Sequence, residues 1–173
     1  MRFILRVFLI IGVTHSAFAW QQIPFGFFRG SSSVSSFSDS FEAIGNPPTG
    51  WSVCTNSIGG ATVASNPSEG TRSLLLQVSY YDTWIVACLE RTMDLTGLNT
   101  LTLDITNISA ISSTGLTVRI DGSIVATWNT TGAKSVSISG HSGPSKTLRL
   151  QIDNTGNFPD EDIFYIDNLN IAP

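Results

Sequence analysis

Apolar residues recur at every second position in short runs along most of the chain. The clearest runs are Leu74, Leu76 and Val78; Leu101, Leu103 and Ile105; Leu116, Val118 and Ile120; Val136 and Ile138; and Leu148, Leu150 and Ile152. Because side chains alternate between the two faces of a strand, this period of two predicts strands with one buried face. No apolar stripe keeps helical spacing over three turns, so the pattern predicts no long helix.

Turn-forming residues separate these runs. Asp121-Gly122 lies between "VRI" and "SIVATW", and Asp-Gly between two alternating runs is a strong hairpin signal. Further turns are marked by Gly59-Gly60, Asn66-Pro67, Gly115, Gly132 and Gly143-Pro144. The spacing predicts about nine strands, and many short strands in one domain favour an all-β antiparallel sandwich.

The alternation breaks near the C-terminus, in the segment "FYIDNLNI". Phe164 and Ile166 share one parity, whereas Leu169 and Ile171 share the other. A regular strand cannot direct all four side chains into one core. A β-bulge adds one residue and re-aims the side chains that follow it. The sequence therefore predicts a bulge at Asp167-Asn168.

The first 19 residues have the composition of a secretory signal peptide. Arg2 and Arg6 precede an apolar run, and Ala17-Phe18-Ala19 is a small-x-small cleavage site. The run is shorter than the roughly 20 residues that a membrane-spanning helix needs. We therefore expect residues 1–19 to be removed, and the mature chain to be extracellular or cell-surface associated, without membrane insertion.

Residues 20–36 form a distinct N-terminal region. Its first part, "WQQIPFGFFRG", is aromatic and apolar, and "SSSVSS" follows as a flexible polar tether. Phe25, Phe27 and Phe28 do not suit a free linker. Either they pack on the following domain, or the segment adds as a strand to a neighbouring subunit. The second alternative would make the protein a self-assembling surface or filament subunit.

The charge balance excludes some partners. Without Arg2 and Arg6, the mature chain carries 7 Lys and Arg against 13 acids, a net charge of −6. Nucleic-acid-binding proteins need clustered basic residues, so nucleic acid is not an expected partner. Four of the acids lie in "DNTGNFPDED" at 153–162, and this run predicts a solvated acidic loop rather than a second cation site.

Catalytic residues are scarce in the sequence. After removal of the leader, His141 is the one histidine, and its surroundings "SGHSGPS" are not a nucleophile elbow. We therefore expect a protein that is not an enzyme. The two cysteines, Cys54 and Cys88, predict one disulfide in an exported chain, and two buried free thiols are the alternative.

The sequence "SYYDTW" contains the main candidates for ligand contact. Tyr80, Tyr81 and Trp84 surround Asp82 in what should be a loop. Aromatic faces pack on the C–H groups of sugars while carboxylates bond the hydroxyls, so the composition fits a glycan site. The alternative is that these aromatic residues pack on neighbouring loops and that Trp84 belongs to the core.

Two other tryptophans have different expected roles. Trp128, followed by Asn129, ends the hairpin strand and is a second candidate platform for a glycan, or else a cover for the sandwich edge. Trp51 is expected in the core, because Trp is highly buried on average. Asn107-Ile108-Ser109 and Asn129-Thr130-Thr131 are glycosylation sequons, whose use the sequence does not determine.

Five motifs occur in order between residues 37 and 171. They are "FSDSFE" at 37–42, "PPTGW" at 47–51, "SEGTRSLLL" at 68–76, "DLTGLNTLTLDI" at 94–105 and "FYIDNLNI" at 164–171. The series resembles exported jelly-roll domains of the galactose-binding-like superfamily: cleaved-adhesin or choice-of-anchor domains, MAM-like domains and jelly-roll carbohydrate-binding modules. The resemblance implies a jelly-roll sandwich over residues 37–173 that acts as a carbohydrate-binding or adhesin-like module with a glycan or cell-surface partner. It does not name the glycan, because one fold hosts many functions.

The resemblance also implies a structural calcium. In these families an acid in the last strand and a Glu just after an N-terminal Phe help to hold the ion, and the matching residues are Asp167 and Glu42, with Asp39 as a third. The match departs at Asn168, where a second Asp is common. Carboxylates, amides and backbone carbonyls are the ligands that calcium prefers. The alternative is a bulge with solvated acids and no metal.

Overall fold

The computed structural model describes residues 34–43, 45–55, 60–64, 70–79, 85–109, 113–154 and 161–173. Within them the strands are β1 (Phe37–Asp39), β2 (Ser52–Val53), β3 (Gly60–Ala64), β4 (Ser73–Ser79), β5 (Ile85–Met93), β6 (Thr100–Ser109), β7 (Ser113–Ile120), β8 (Ser123–Trp128), β9 (Gly132–Ser137), β10 (Lys146–Asn154) and β11 (Glu161–Ala172). A 3₁₀ helix covers Ser139–His141. The predicted signal peptide and nearly all of the predicted N-terminal region lie outside the described residues.

The strands form two antiparallel sheets. The six-stranded sheet has the order β3-β4-β11-β6-β9, and β1 also pairs with β11; the five-stranded sheet has the order β2-β5-β10-β7-β8. The predicted antiparallel β-sandwich is confirmed. The eleven described strands exceed the predicted number of about nine. β1 and β2, with three and two residues, are too short to show an alternation.

The period-two runs supply the core between the sheets. The fully or almost fully buried residues of these runs are Leu74, Leu76, Val78, Leu101, Leu103, Ile105, Leu116, Val118, Ile120, Ile138, Leu148, Leu150 and Ile152. Their polar neighbours in sequence point away from the core because the strand period is two. Each sheet therefore has a buried inner face and an outer face that carries most of the polar side chains.

β11 contains the predicted bulge. Asp167 lies opposite Asp104 of β6, and the next paired residue, Asn170, lies opposite Thr102. Two residues of β11 therefore face one residue of β6. Asn168 takes up the extra length with a left-handed φ of 49°, a conformation that Asn adopts more easily than most residues.

The bulge resolves the break in parity. Phe164 and Ile166 before it, and Leu169 and Ile171 after it, are all fully buried. It also marks a change of neighbour along one side of β11. The pairing with β4 ends at Ile166, and the pairing with β1 begins at Leu169. The bulge thus lies where one neighbouring strand replaces another.

A disulfide joins Cys54, just after β2, to Cys88 of β5, with the two Cα atoms 5.6 Å apart. Both side chains are buried, and the Cys54 amide donates to the Cys88 carbonyl at 3.2 Å. The predicted disulfide is confirmed. It anchors the short strand β2 to the five-stranded sheet.

Trp51 has the expected packing role. Its side chain is buried, and its ring centroid lies 5.9 Å from that of Phe41. Its indole Nε1 donates to Asp39 Oδ2 at 2.9 Å. A buried Trp normally satisfies its N–H in this way.

Asp162 differs from the expectation for its acidic stretch. It lies in β11 opposite Val78 of β4 and is fully buried. The prediction of a solvated loop is therefore wrong for Asp162, and the prediction of a loop is also wrong for Asp153 and Glu161, because β10 ends later and β11 begins earlier than the acidic composition suggests. Residues 155–160 lie outside the described residues.

In the described part of the chain, no helix has the length and apolar character required to cross a membrane.

Removing the disulfide should destabilise the fold. The double variant Cys54→Ala/Cys88→Ala should lose about 3 kcal/mol of unfolding free energy, because the cross-link restricts the unfolded chain. Urea denaturation of the wild type and the variant measures the difference. Reduction of the wild type by dithiothreitol should give a similar loss without any change of side chain. Equal urea midpoints for the wild type, the double variant and the reduced wild type would contradict the stabilising role of the disulfide.

Candidate functional site

Two polar grooves lie on either side of Asn168. The first, of about 480 Å³, is lined by Ser38, Asp39, Ser40, Asn168, Leu169 and Asn170. The second, of about 320 Å³, is lined by Thr102, Leu103, Asp104, Ala133, Lys134, Ser135 and Asn168. Volumes of this size are typical of small-ligand sites, for which roughly 300 to 1,000 Å³ is usual.

The bulge explains why the grooves occur here. On one side of β11, the paired part of β4 stops before the bulge and β1 starts after it. On the other side, the register with β6 shifts across the same residues. Both changes interrupt the regular packing of side chains along the sheet. The interruption leaves space beside Asn168 that hydroxyl, amide and carboxylate groups line.

Asn168 is held in place by neighbouring carboxylates. Its Nδ2 donates to Asp104 Oδ2 at 3.0 Å, and its backbone N–H donates to Asp167 Oδ1 at 2.8 Å. A left-handed non-glycine residue costs free energy and persists where its surroundings fix it, often near functional sites. The side-chain amide of Asn168 is thus held in position, and Asn168 lines both grooves.

A partly exposed apolar strip lies on the same sheet. Tyr165 has the opposite parity to the buried residues Phe164 and Ile166, so its ring is on the outer face. Leu75 of β4 lies opposite Tyr165, and Ile163 is two residues before it; all three side chains are partly exposed. The strip offers an aromatic and aliphatic surface, and two of its residues lie on β11, the strand that carries Asn168. The sequence analysis missed Tyr165, although its parity is visible in the alternation.

Asp39, one of the predicted calcium ligands, has structural partners. Its Oδ1 accepts the backbone N–H of Phe41 at 2.9 Å, and its Oδ2 accepts the indole N–H of Trp51 at 2.9 Å. The guanidinium of Arg91 lies 3.7 Å from Oδ2. The carboxylate therefore connects β1, the buried Trp51 and the five-stranded sheet.

Glu42, another predicted ligand, binds a turn. Its Oε1 accepts the N–H groups of Thr71 and Arg72 at 2.8 and 3.1 Å, and its Oε2 accepts the Thr71 hydroxyl at 2.8 Å. The backbone N–H of Thr71, followed by its hydroxyl, lowers the pKa of Glu42 below its ordinary value. Gly70 has a φ of 67°, and a side chain there would collide with the Glu42 carboxylate.

Asp167, the remaining predicted ligand, is fully buried at the bulge. Among the residues that the structure describes, no group of three or more His, Cys, Asp or Glu side chains is arranged to hold a metal ion. The three predicted acids therefore do not form one cluster, and each makes hydrogen bonds to protein groups. Calcium binding through Asp167, Glu42 and Asp39 stays a prediction.

Of the predicted glycan-contact residues, the structure describes Trp128 alone. Tyr80, Tyr81, Asp82 and Trp84 lie outside the described residues. Trp128 lies opposite the buried Leu116, is partly buried and packs against the core. That position matches the alternative of an aromatic residue that covers the edge of the sandwich, and a platform role for Trp128 stays a prediction.

Both sequons begin at exposed residues. Asn107 lies in β6, opposite Tyr165, and Asn129 follows β8.

His141 lies in the 3₁₀ helix at Ser139–His141, next to a turn. Neither groove is lined by a histidine, and the described lining offers hydroxyl, amide, carboxylate and ammonium groups for hydrogen bonding and charge.

No protein-family model and no curated protein matches the chain. Solved structures do match. A carbohydrate-binding module of the β-sandwich superfamily, described as having promiscuous specificity, is 15% identical, with 78% of this chain and 62% of that chain covered and a TM-score of 0.50.

A second match is the carbohydrate-binding and catalytic module pair of endo-1,4-beta-D-xylanase 10B from Clostridium thermocellum, complexed with xylohexaose. It is 14% identical, with 79% of this chain and 28% of that chain covered and a TM-score of 0.50. The chain has the jelly-roll fold of carbohydrate-binding modules. At this identity the likeness establishes the fold and leaves the ligand open.

The calcium prediction has a direct test. If Asp167 and Glu42 hold calcium, EGTA should lower the melting temperature and added calcium should restore it, because a ligand bound by the native state stabilises that state. Magnesium serves as the control ion. An unchanged melting temperature in all conditions would leave the acids with structural roles alone.

Glu42 should make stability depend on pH. Its folded pKa lies below the ordinary value of 4.5, so its stabilising effect is complete above that value and is lost as the pH falls through the folded pKa. Denaturation midpoints of the wild type and Glu42→Gln should differ at neutral pH and converge in acid. If the difference between the two denaturation midpoints stayed constant down to acid pH, this role of the Glu42 charge would be refuted.

Proposed function

We propose that the chain is an exported, non-catalytic carbohydrate-binding module that holds a glycan on the outer face of its six-stranded sheet. The observation that carries the proposal is the pair of polar grooves on either side of Asn168, on the strand that also carries the partly exposed Tyr165. Fixed polar groups beside an aromatic surface suit a ligand that combines hydroxyl groups with apolar ring faces.

Each part of the face has a role in this proposal. The ring of Tyr165, with Leu75 and Ile163, packs against the C–H groups of a sugar. The hydroxyl groups of the sugar exchange hydrogen bonds with the amide of Asn168 and with the other polar groups of the grooves. Because the strands of the core fix these groups in advance, binding orders few protein side chains and loses little entropy.

The fold and the disulfide are compatible with an extracellular location. The proposal assigns the chain to the outside of the cell on the basis of the signal-peptide composition of residues 1–19. It keeps Tyr80, Tyr81, Asp82 and Trp84 as further glycan contacts, and an adhesin-like attachment to a cell-surface glycan as one use of the module.

Binding to polysaccharides tests the proposal. The mature protein should be retarded in native gels that contain one class of soluble neutral polysaccharide. Tyr165→Ala and Asn168→Gly should each weaken binding by roughly tenfold, since each removes about one good contact. Glycine accepts the left-handed backbone at position 168, so the second variant keeps the bulge.

Two variants serve as controls. Tyr165→Phe keeps the ring and should retain most of the affinity. Asn129→Ala removes an exposed amide that does not line either groove, and it should bind as the wild type does. Absence of retardation by every polysaccharide, with large species in size-exclusion chromatography, would contradict the proposal and favour a self-assembling surface protein built through residues 20–30.

A further inference from the structure

A row of charged side chains crosses the outer face of the five-stranded sheet. Arg149 of β10 lies between Glu90 of β5 and Arg119 of β7, with the three residues in register. Leu150 and Val118, which follow and precede these arginines in sequence, are fully buried. The alternation of side chains therefore directs the arginines outward.

Arg149 has a partner of opposite charge. Its NH2 lies 2.8 Å from Glu90 Oε2, and the two side chains are 34% and 26% exposed. The pair is electrically neutral, so the charge that remains in the row is that of Arg119. A partly exposed ion pair of this kind is weak enough to be rearranged when another charged group approaches.

Arg119 has no such partner among the described residues. Its NH1 donates to the Gly122 carbonyl at 3.0 Å, and its Nε is buried without a hydrogen bond. The ion pairs of the described chain involve other residues. Like charges directly opposite on neighbouring strands destabilise a sheet, and an unsatisfied buried donor adds to that cost. An anion at the guanidinium group of Arg119 would relieve the repulsion between the two arginines.

Ile124 extends the row on the edge strand β8. It lies opposite Arg119 and is 57% exposed, which is high for a large aliphatic side chain. A guanidinium group binds the two oxygens of a carboxylate or sulfate as a fork. A sugar that carries such a group could direct it at Arg119 while its ring lies against Ile124.

The remaining charge of the chain limits the ligand to a few anionic groups. The mature chain has a net charge of −6, so a densely charged polyanion such as a nucleic acid is repelled at long range. A local positive site on an acidic protein instead suits an isolated acidic residue in a glycan.

We propose that Arg119, with Arg149 and Ile124 beside it, binds the carboxylate or sulfate group of an acidic sugar. The choice of a sugar as the carrier rests on the proposed glycan-binding function. The anion contact itself lies on the sheet opposite the grooves and does not depend on them.

Calorimetry with three oligosaccharides of matched length tests the assignment: a galacto-oligosaccharide with one terminal galacturonate residue, one with a single sulfate group, and the unsubstituted neutral galacto-oligosaccharide. Arg119→Gln should weaken binding of the preferred acidic oligosaccharide by roughly tenfold or more, as expected for loss of a charge-assisted contact. Arg119→Lys should be intermediate, because it keeps the charge without the fork. Glu90→Gln should strengthen binding, because it frees Arg149. The first two probes distinguish carboxylate from sulfate.

Arg72→Gln is the matched control, because it removes one positive charge outside the row, and the melting temperature of each variant checks its folding. Unchanged binding in Arg119→Gln, or an equal loss in Arg72→Gln, would overturn the assignment. A wild type that binds only the neutral oligosaccharide would overturn the anion site and leave the glycan function intact. Binding of acidic sugars that Tyr165→Ala and Asn168→Gly leave unchanged would support Arg119 and count against the grooves.

Discussion

The bulge in β11 is the constraint on which the six-stranded sheet depends. β11 pairs with β4, β6 and β1 and supplies four fully buried apolar side chains on the two sides of the bulge. In a regular strand, two of these side chains would face solvent, and burial of such a side chain contributes roughly 1.5 to 3 kcal/mol. A left-handed residue costs about 1 to 2 kcal/mol, and less for Asn. Burial therefore outweighs the strain at Asn168, and the sheet keeps the bulge.

The bulge in β11 also creates the candidate site. A regular strand would pair continuously with its neighbours and present a level face. The bulge changes the register with β6 and separates β4 from β1 along the other side of β11, and the grooves lie at that point. The carboxylates of Asp104 and Asp167 then hold Asn168 in the conformation that the bulge requires. Asp104 and Asn168, which are joined by one of these hydrogen bonds, thus also line a groove.

The sequence predicted the features that depend on alternation along one strand. The sandwich, the bulge at Asp167-Asn168, the packing of Trp51 and the disulfide all follow from parity, composition or cysteine number. It did not predict contacts that depend on strand register. Glu42 reaches Thr71, and Asp39 reaches Trp51, only because tertiary packing brings distant segments together. The same limit applies to the grooves, since the lining residues come from β1, β6, β9 and β11.

The two-sheet architecture separates the two candidate surfaces. The grooves lie on the outer face of the six-stranded sheet and the Arg119 row lies on that of the five-stranded sheet, and packed sheets are about 10 Å apart. The core between them is apolar, and the ion pair that joins the two sheets, Asp39 with Arg91, is separate from the ion pair of Arg149 with Glu90 in the row. Substitutions at distant positions without shared partners usually act independently. Under the two proposals, a binding defect caused by a substitution on one face can therefore be attributed to that face.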